Sequence, residues 1–109
     1  MIISCKSKID EGLIILHGHD IVIGADVIIG KQCRIFNGVT LGNKDITGSS
    51  LGNQPSIGNN VVLCTGAKIL GPLMIGDNVV IGANSVVLKD CPSNTVFAGV
   101  PAKMIKDNR

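Results

Sequence analysis

Residues 57–87 read IGNNVV, LCTGAK, ILGPLM, IGDNVV, IGANSV, V, and an aliphatic residue returns at every sixth position: Ile57, Leu63, Ile69, Ile75, Ile81 and Val87. Gly follows three of these, at Gly58, Gly76 and Gly82, and a small or modest residue stands four positions after each, at Val61, Ala67, Leu73, Val79, Ser85 and Cys91. A period of six is neither the 3.6 of a helix nor the 2 of a strand. It fits a solenoid in which each hexad is one short flat face followed by a turn. Three faces close a triangular coil of about eighteen residues, with the aliphatic residues stacked along its axis. Gly and Asn stand where the turns need open backbone angles.

The register extends to both sides of this stretch. Ile3, Ile9 and Ile15 are six apart; a step of eight leads to Ile23, then Ile29, Ile35 and Leu41 follow in phase, and a step of sixteen leads to Ile57. Two insertions are therefore expected. One adds two residues within His17–Val22; the other adds about ten and covers most of 43–56, a polar run with Gly48, Gly52 and Pro55. Solenoids take insertions at their corners, where they project as loops and often carry function. Beyond Val87 the pattern ends in Lys89-Asp90-Cys91-Pro92. The expected organisation is all-β: a parallel β-helix of about five triangular coils over residues 1–92, one protruding loop at about 43–56, and a short C-terminal tail over 93–109.

Composition agrees with a narrow core. The 109 residues are 45% hydrophobic, yet they include no Trp, no Tyr and only Phe36 and Phe97. An axis with one aliphatic side chain per face has no room for aromatics. Charged, Asn and Gly residues interrupt every apolar run long before the ~20 residues of a membrane-spanning helix, and no signal-peptide pattern precedes the repeat. A net charge of +2 with scattered cations gives no footprint for nucleic acid. Cys5, Cys33, Cys64 and Cys91 form no CxxC motif; Cys33 and Cys91 occupy the small inward position of their hexads and read as buried hydrophobes, which favours a reducing, cytoplasmic setting.

Counting three hexads per coil places the His17 insertion at the corner between the third and first faces, and the long loop at the next corner, between the first and second. Edge-to-edge packing of three chains would bring the loop of one to the His17 corner of another. Coils stack at about 4.8 Å, so an offset of two coils is roughly 10 Å, within reach of a ten-residue loop. His17 and His19 are the acid–base candidates near neutral pH, and both lie in the first insertion. His17, third in its hexad, points outward toward such a cleft; the plain alternative for both is a solvated surface histidine.

The hexads, the segment GLIILHGHDIVIG (residues 12–24), VTLG (39–42), a polar loop ending in Pro55, GAKILG (66–71), IGANSVVLKD (81–90) and AGVPAK (98–103) resemble the left-handed parallel β-helix acyltransferases, the serine acetyltransferase-like subgroup in particular. Left-handed crossovers depart from the usual rule, and this family is a known exception. The resemblance implies an acetyl-CoA-dependent O-acetyltransferase, a homotrimer with active sites between subunits, and His17 as general base for an acceptor hydroxyl. It places the acceptor near His19, Asp20, Asn53 and Gln54. Acetyl-CoA would lie along Gly66, Ala67, Ala83 and Ser85, with Lys103 at the nucleotide phosphates and Lys68 and Lys89 as weaker contacts. No metal is implied.

Departures from the subgroup bear on the acceptor. Serine acetyltransferases have a helical N-terminal domain, whereas this chain begins in its coils. They carry an Asp before the catalytic His, where this chain has Leu16, and an Arg-His pair before the loop proline, where it has Asn53 and Gln54. Those charged groups recognise an amino acid, so their loss, with Ser49 and Ser50 in the loop, favours a sugar or polysaccharide precursor as acceptor. Serine is the second reading. Zinc-dependent carbonic anhydrases with this coil need three His ligands, which two His separated by one residue do not supply. Thr40, Thr47, Thr65 and Thr95 form no ladder of the kind an ice binder needs. A non-catalytic β-helix scaffold is the third reading.

Overall fold

The structure is a computed structural model that describes residues 1–42 and 54–108. Short parallel strands stack on three faces. The first face carries Ile2–Ile3, Val22–Ile23, Thr40–Gly42, Lys68–Leu70 and Val86–Val87. The second carries Lys8–Ile9, Ile28–Ile29, Ser56–Ile57 and Met74–Ile75. The third carries Ile14–Leu16, Arg34–Phe36, Val62–Leu63, Val80–Ile81 and Thr95–Gly99, and the antiparallel strand Ala102–Asp107 closes its end.

The strand register reproduces the hexad arithmetic. Ile69 pairs with Val87, the eighteen residues of a plain coil. Ile3 pairs with Ile23, twenty residues on, because the first insertion intervenes. Leu41 pairs with Ile69, twenty-eight on, because the long loop intervenes. Both insertions leave the ladder intact, since each lies at a corner between faces. The loop expected over 43–56 ends before Ser56, which is already in a strand, and Pro55 is buried.

The core is the column of rung residues with the small inward row beside it. From Ile21 to Ile81 the members of both rows are nearly or fully buried. The lowest rung is less covered: Ile3 is exposed and Ile9 and Ile15 are half-buried, because no coil lies beneath them. Each buried aliphatic side chain contributes about 1.5–3 kcal/mol by leaving water, so the ladder is the main source of stability in a chain with almost no aromatics.

Turns recur at one point of the hexad, the residue before each small inward position. Asp20, Asp26, Gln32, Asn60, Asn78, Asn84 and Asn94 hold positive φ there, as do Gly12, Gly38 and Gly66. The Gly that follows a rung residue has another role. Gly58 is not in the left-handed region; a Cβ on it would come within 2.8 Å of the Gly76 backbone of the next coil. It serves close stacking, while two residues later, at Asn60, the chain turns.

Two expectations at the C-terminal end are corrected. Cys91 was placed in the small inward row, but it bridges to Ile75 and so takes the rung position on the second face. Coil five is two residues short: Ile81 pairs with Phe97 only sixteen residues on. The β-helix register therefore continues past residue 92, through Thr95–Gly99, before Ala102–Asp107 folds back on it.

The four cysteines are free. Burial, with Asp90 adding to it, pushes the Cys91 thiol from an ordinary 9.0 up to about 12, and burial also raises Cys33 and Cys64. Above pH 9 the unfolded chain gives up these protons while the folded chain keeps them. The stability contribution is therefore complete below pH 9 and is lost as the pH rises from 9 toward 12. The urea midpoint is expected to fall across pH 9–11, and Cys91→Ala should flatten that slope; an equally steep slope in the variant would exclude Cys91 as its source.

Candidate active site

The corner between the third and first faces builds a continuous edge. From the N-terminal end it presents His17–Asp20, then Asn37–Gly38, Thr65–Gly66 and Ala83–Asn84, one turn per coil. Backbone bonds tie the turns into a column: Gly38 N donates to His19 O at 2.8 Å, Gly66 N to Asn37 O at 2.9 Å, and Asn84 N to Thr65 O at 2.8 Å. Thr65 Oγ1 also donates to Asn37 Oδ1 at 3.2 Å. His17 and the residues expected around acetyl-CoA thus share one edge, with His17 two coils below Gly66 and three below Ala83, about 10 and 14 Å at the usual coil spacing.

The His17 turn itself is unusual. His17 holds φ 56 and Asp20 φ 58, so two non-glycine residues within four sit in the left-handed region. Such conformations cost energy and concentrate at functional sites. The imidazoles of His17 and His19 and the carboxylate of Asp20 are all exposed. Among the described residues, no hydrogen bond or ion pair engages any of the three side chains.

The residues expected around acetyl-CoA divide into two groups. Gly66 and Ala83 line the outside of the edge, but Ala67 and Ser85 are fully buried. Ser85 Oγ accepts a hydrogen bond from Gly99 N at 3.1 Å, so any contact these two make with a ligand comes through the main chain. At the C-terminal end of the edge, Lys103 and Lys89 line one groove of about 500 Å³ together with Leu88, Phe97, Pro101 and Met104. Two cations over an apolar floor suit a phosphorylated molecule with a hydrophobic part. The Asn84 side chain packs against Gly66, where a Cβ would collide with its amide. The half-buried thiol of Cys64 lies at the same corner, and burial raises it, so it remains protonated at neutral pH.

The remaining acceptor candidates lie elsewhere. Gln54 is at the next corner, between the first and second faces, where its side chain lies over Gly24 of the coil below: a Cβ on Gly24 would meet Gln54 Oε1 at 2.8 Å. Within one chain the first face separates Gln54 from His17. Asn53, with most of the loop, lies outside the described residues. Asn37 and Lys68 were not singled out as companions of His17. Asn37 stands twenty residues after His17, which is one coil plus the insertion, and that register could have found it. Lys68 was read as a weak phosphate contact, but its ammonium donates to Gly38 O.

Comparison with known proteins places this geometry. Residues 54–89 match the family model of the bacterial transferase hexapeptide (six repeats), and residues 20–44 match that of the hexapeptide repeat of succinyl-transferase, between them more than half of the chain. A serine acetyltransferase of Synechococcus elongatus is 46% identical over 100 residues, covering 91% of this chain and 40% of that protein. The structure of a Brucella abortus serine acetyltransferase in complex with coenzyme A superposes with a TM-score of 0.90 at 35% identity, over 95% of this chain and 41% of that one. A Neisseria gonorrhoeae serine acetyltransferase in complex with serine superposes with a TM-score of 0.83 at 36% identity, over 92% of this chain and 40% of that one. The chain spans less than two thirds of the length of these relatives. On these matches and its own coil register, the chain belongs to the hexapeptide-repeat acyltransferases, and its left-handed β-helix is of the serine acetyltransferase type.

Proposed function

We propose that this protein is an acetyl-CoA-dependent O-acetyltransferase whose acceptor is the hydroxyl of serine. The observation that carries the reading is the shared edge: an exposed histidine in a strained turn, aligned by a column of corner turns with Gly66 and Ala83, and a two-lysine groove at the C-terminal end. In this reading His17 takes the proton of the acceptor hydroxyl as its oxygen attacks the thioester carbonyl. The C–S bond then breaks, coenzyme A leaves as the thiolate, and the imidazolium returns the proton to it. Backbone N–H groups in the cleft between subunits stabilise the oxyanion. Lys89 and Lys103 hold the nucleotide phosphates, and the pantetheine arm follows the main chain at Gly66 and Ala83.

The sugar acceptor expected from the departures at Leu16, Asn53 and Gln54 finds no support in the relatives, and neither does a role in polysaccharide biosynthesis. The relatives named above are serine acetyltransferases, so the second reading takes precedence. Asp20, on the same insertion as His17, supplies a carboxylate for the serine ammonium; His19 lies beside it. The first face that separates Gln54 from His17 within one chain supports a trimer in which the loop of one subunit completes the site of its neighbour. The four free thiols, two of them (Cys33 and Cys91) buried, fit a cytoplasmic enzyme, and among the described residues no helix is long and apolar enough to cross a membrane.

Thiol release from acetyl-CoA, followed against L-serine and a panel of free and nucleotide-linked sugars, tests the acceptor. Turnover is expected with L-serine and at background level with every sugar. Turnover with a sugar alone would overturn the serine assignment and restore the argument from Leu16 and Gln54. Release with no acceptor in the panel would overturn both.

A further inference from the structure

Beyond its covalent ends, the His17 insertion has a single hydrogen-bonded tie to the rest of the molecule among the described residues. Within residues 17–20, His19 N bonds to His17 O, which is internal to the turn. Among the described residues, the only hydrogen bond from this turn to the rest of the chain is the one His19 O accepts from Gly38 N at 2.8 Å. The orientation of the imidazole therefore depends on how firmly Gly38 is fixed. Gly38 holds φ 75 and, as a glycine, has more backbone freedom than a residue with a side chain would have there. Something must restrain it.

Lys68 does so. It lies on the first face, paired across the ladder with Thr40, and its half-buried ammonium reaches the corner to donate to Gly38 O. The only ion pair among the described residues is Lys31–Glu11, so no carboxylate draws Lys68 elsewhere. Hydrogen bonds from charged donors are about twice as strong as neutral ones. The two bonds grip Gly38 on either side of its Cα, the N–H from below by His19 and the carbonyl from above by Lys68. We infer that Lys68 is a positioning residue for His17, acting through Gly38 on the His17–Asp20 turn, rather than a contact to the cofactor.

This inference rests on the reading of His17 as base, and its test separates the two. Lys68→Met keeps the aliphatic stem and removes the donor; Lys68→Arg restores a cation. For Lys68→Met, kcat should fall about 10- to 100-fold, the scale of a small misplacement of a catalytic group, while KM for acetyl-CoA stays within about twofold of the wild type. Lys68→Arg should recover most of the loss. Independently of turnover, the imidazole NMR signals of His17 should shift and broaden in Lys68→Met, and the Gly38 amide should exchange faster. A rise in KM with kcat and the imidazole signals unchanged would make Lys68 a cofactor contact and overturn the inference. Unchanged kinetics and unchanged signals would overturn it too. If His17→Asn retains full activity while the signals still move in Lys68→Met, the reading of His17 as base fails and the mechanical link stands.

Discussion

His17→Asn is expected to lower kcat/KM by about 10³-fold, within the 10²–10⁴ range that a positioned general base contributes. Asn is the informative replacement. His17 sits at φ 56, a conformation that Asn tolerates better than most residues, so the turn survives the change. The side chain is exposed and, among the described residues, unbonded, so its removal leaves no buried group without a partner. The melting temperature and the oligomeric state should therefore match the wild type. Single-turnover mixing of enzyme with acetyl-CoA and serine is the measurement that checks it. Turnover within threefold of the wild type would exclude His17 as the base.

Leu63→Ala is expected to have the largest effect on stability, a loss of about 2–5 kcal/mol, which denaturant midpoints measure. Leu63 is fully buried on the third face, with Ile35 below it and Ile81 above it in the same ladder. In a globule the walls of a new cavity partly close. Here the neighbours are pinned by the backbone ladder: Cys64 N bonds to Ile81 O at 3.0 Å, and strand spacing holds the rungs about 4.8 Å apart. The cavity stays open, and the cost moves toward the upper end of the range. Ile15→Ala in the half-buried first coil should cost clearly less; equal costs would mean that the rungs do not act as a continuous core.

These two sites also show what the sequence makes legible. Leu63 was readable because a solenoid writes its core as a period, and Ile3 to Val87 keep that period through two insertions. His17 was readable for the related reason that it stands where the period breaks. Coil five was not, because the two missing residues fall in Lys89-Asp90-Cys91-Pro92, where no aliphatic residue marks the phase. The turn positions of Asp26 and Gln32 were missed by looking for Gly and Asn alone, although these residues hold positive φ there as well. The Lys68–Gly38 bond joins residues thirty apart through a long, flexible side chain, and no local pattern encodes it. The sugar reading finds no support in the relatives, and the reason is visible in the residues it used: Leu16 and Gln54 say which charges this chain lacks, not which groups replace them.

The column of corner turns gives the edge the character of a graduated scale. Each coil advances it by one fixed division of about 4.8 Å, and a functional group can stand only at a division. The distance between His17 and Gly66 is then set by counting coils rather than by adjusting loops. Gaining or losing one eighteen-residue coil between His17 and Gly66 would lengthen or shorten that distance by a whole division while leaving every face in register. Residues added at this corner, as the His17–Asp20 insertion shows, leave its divisions untouched.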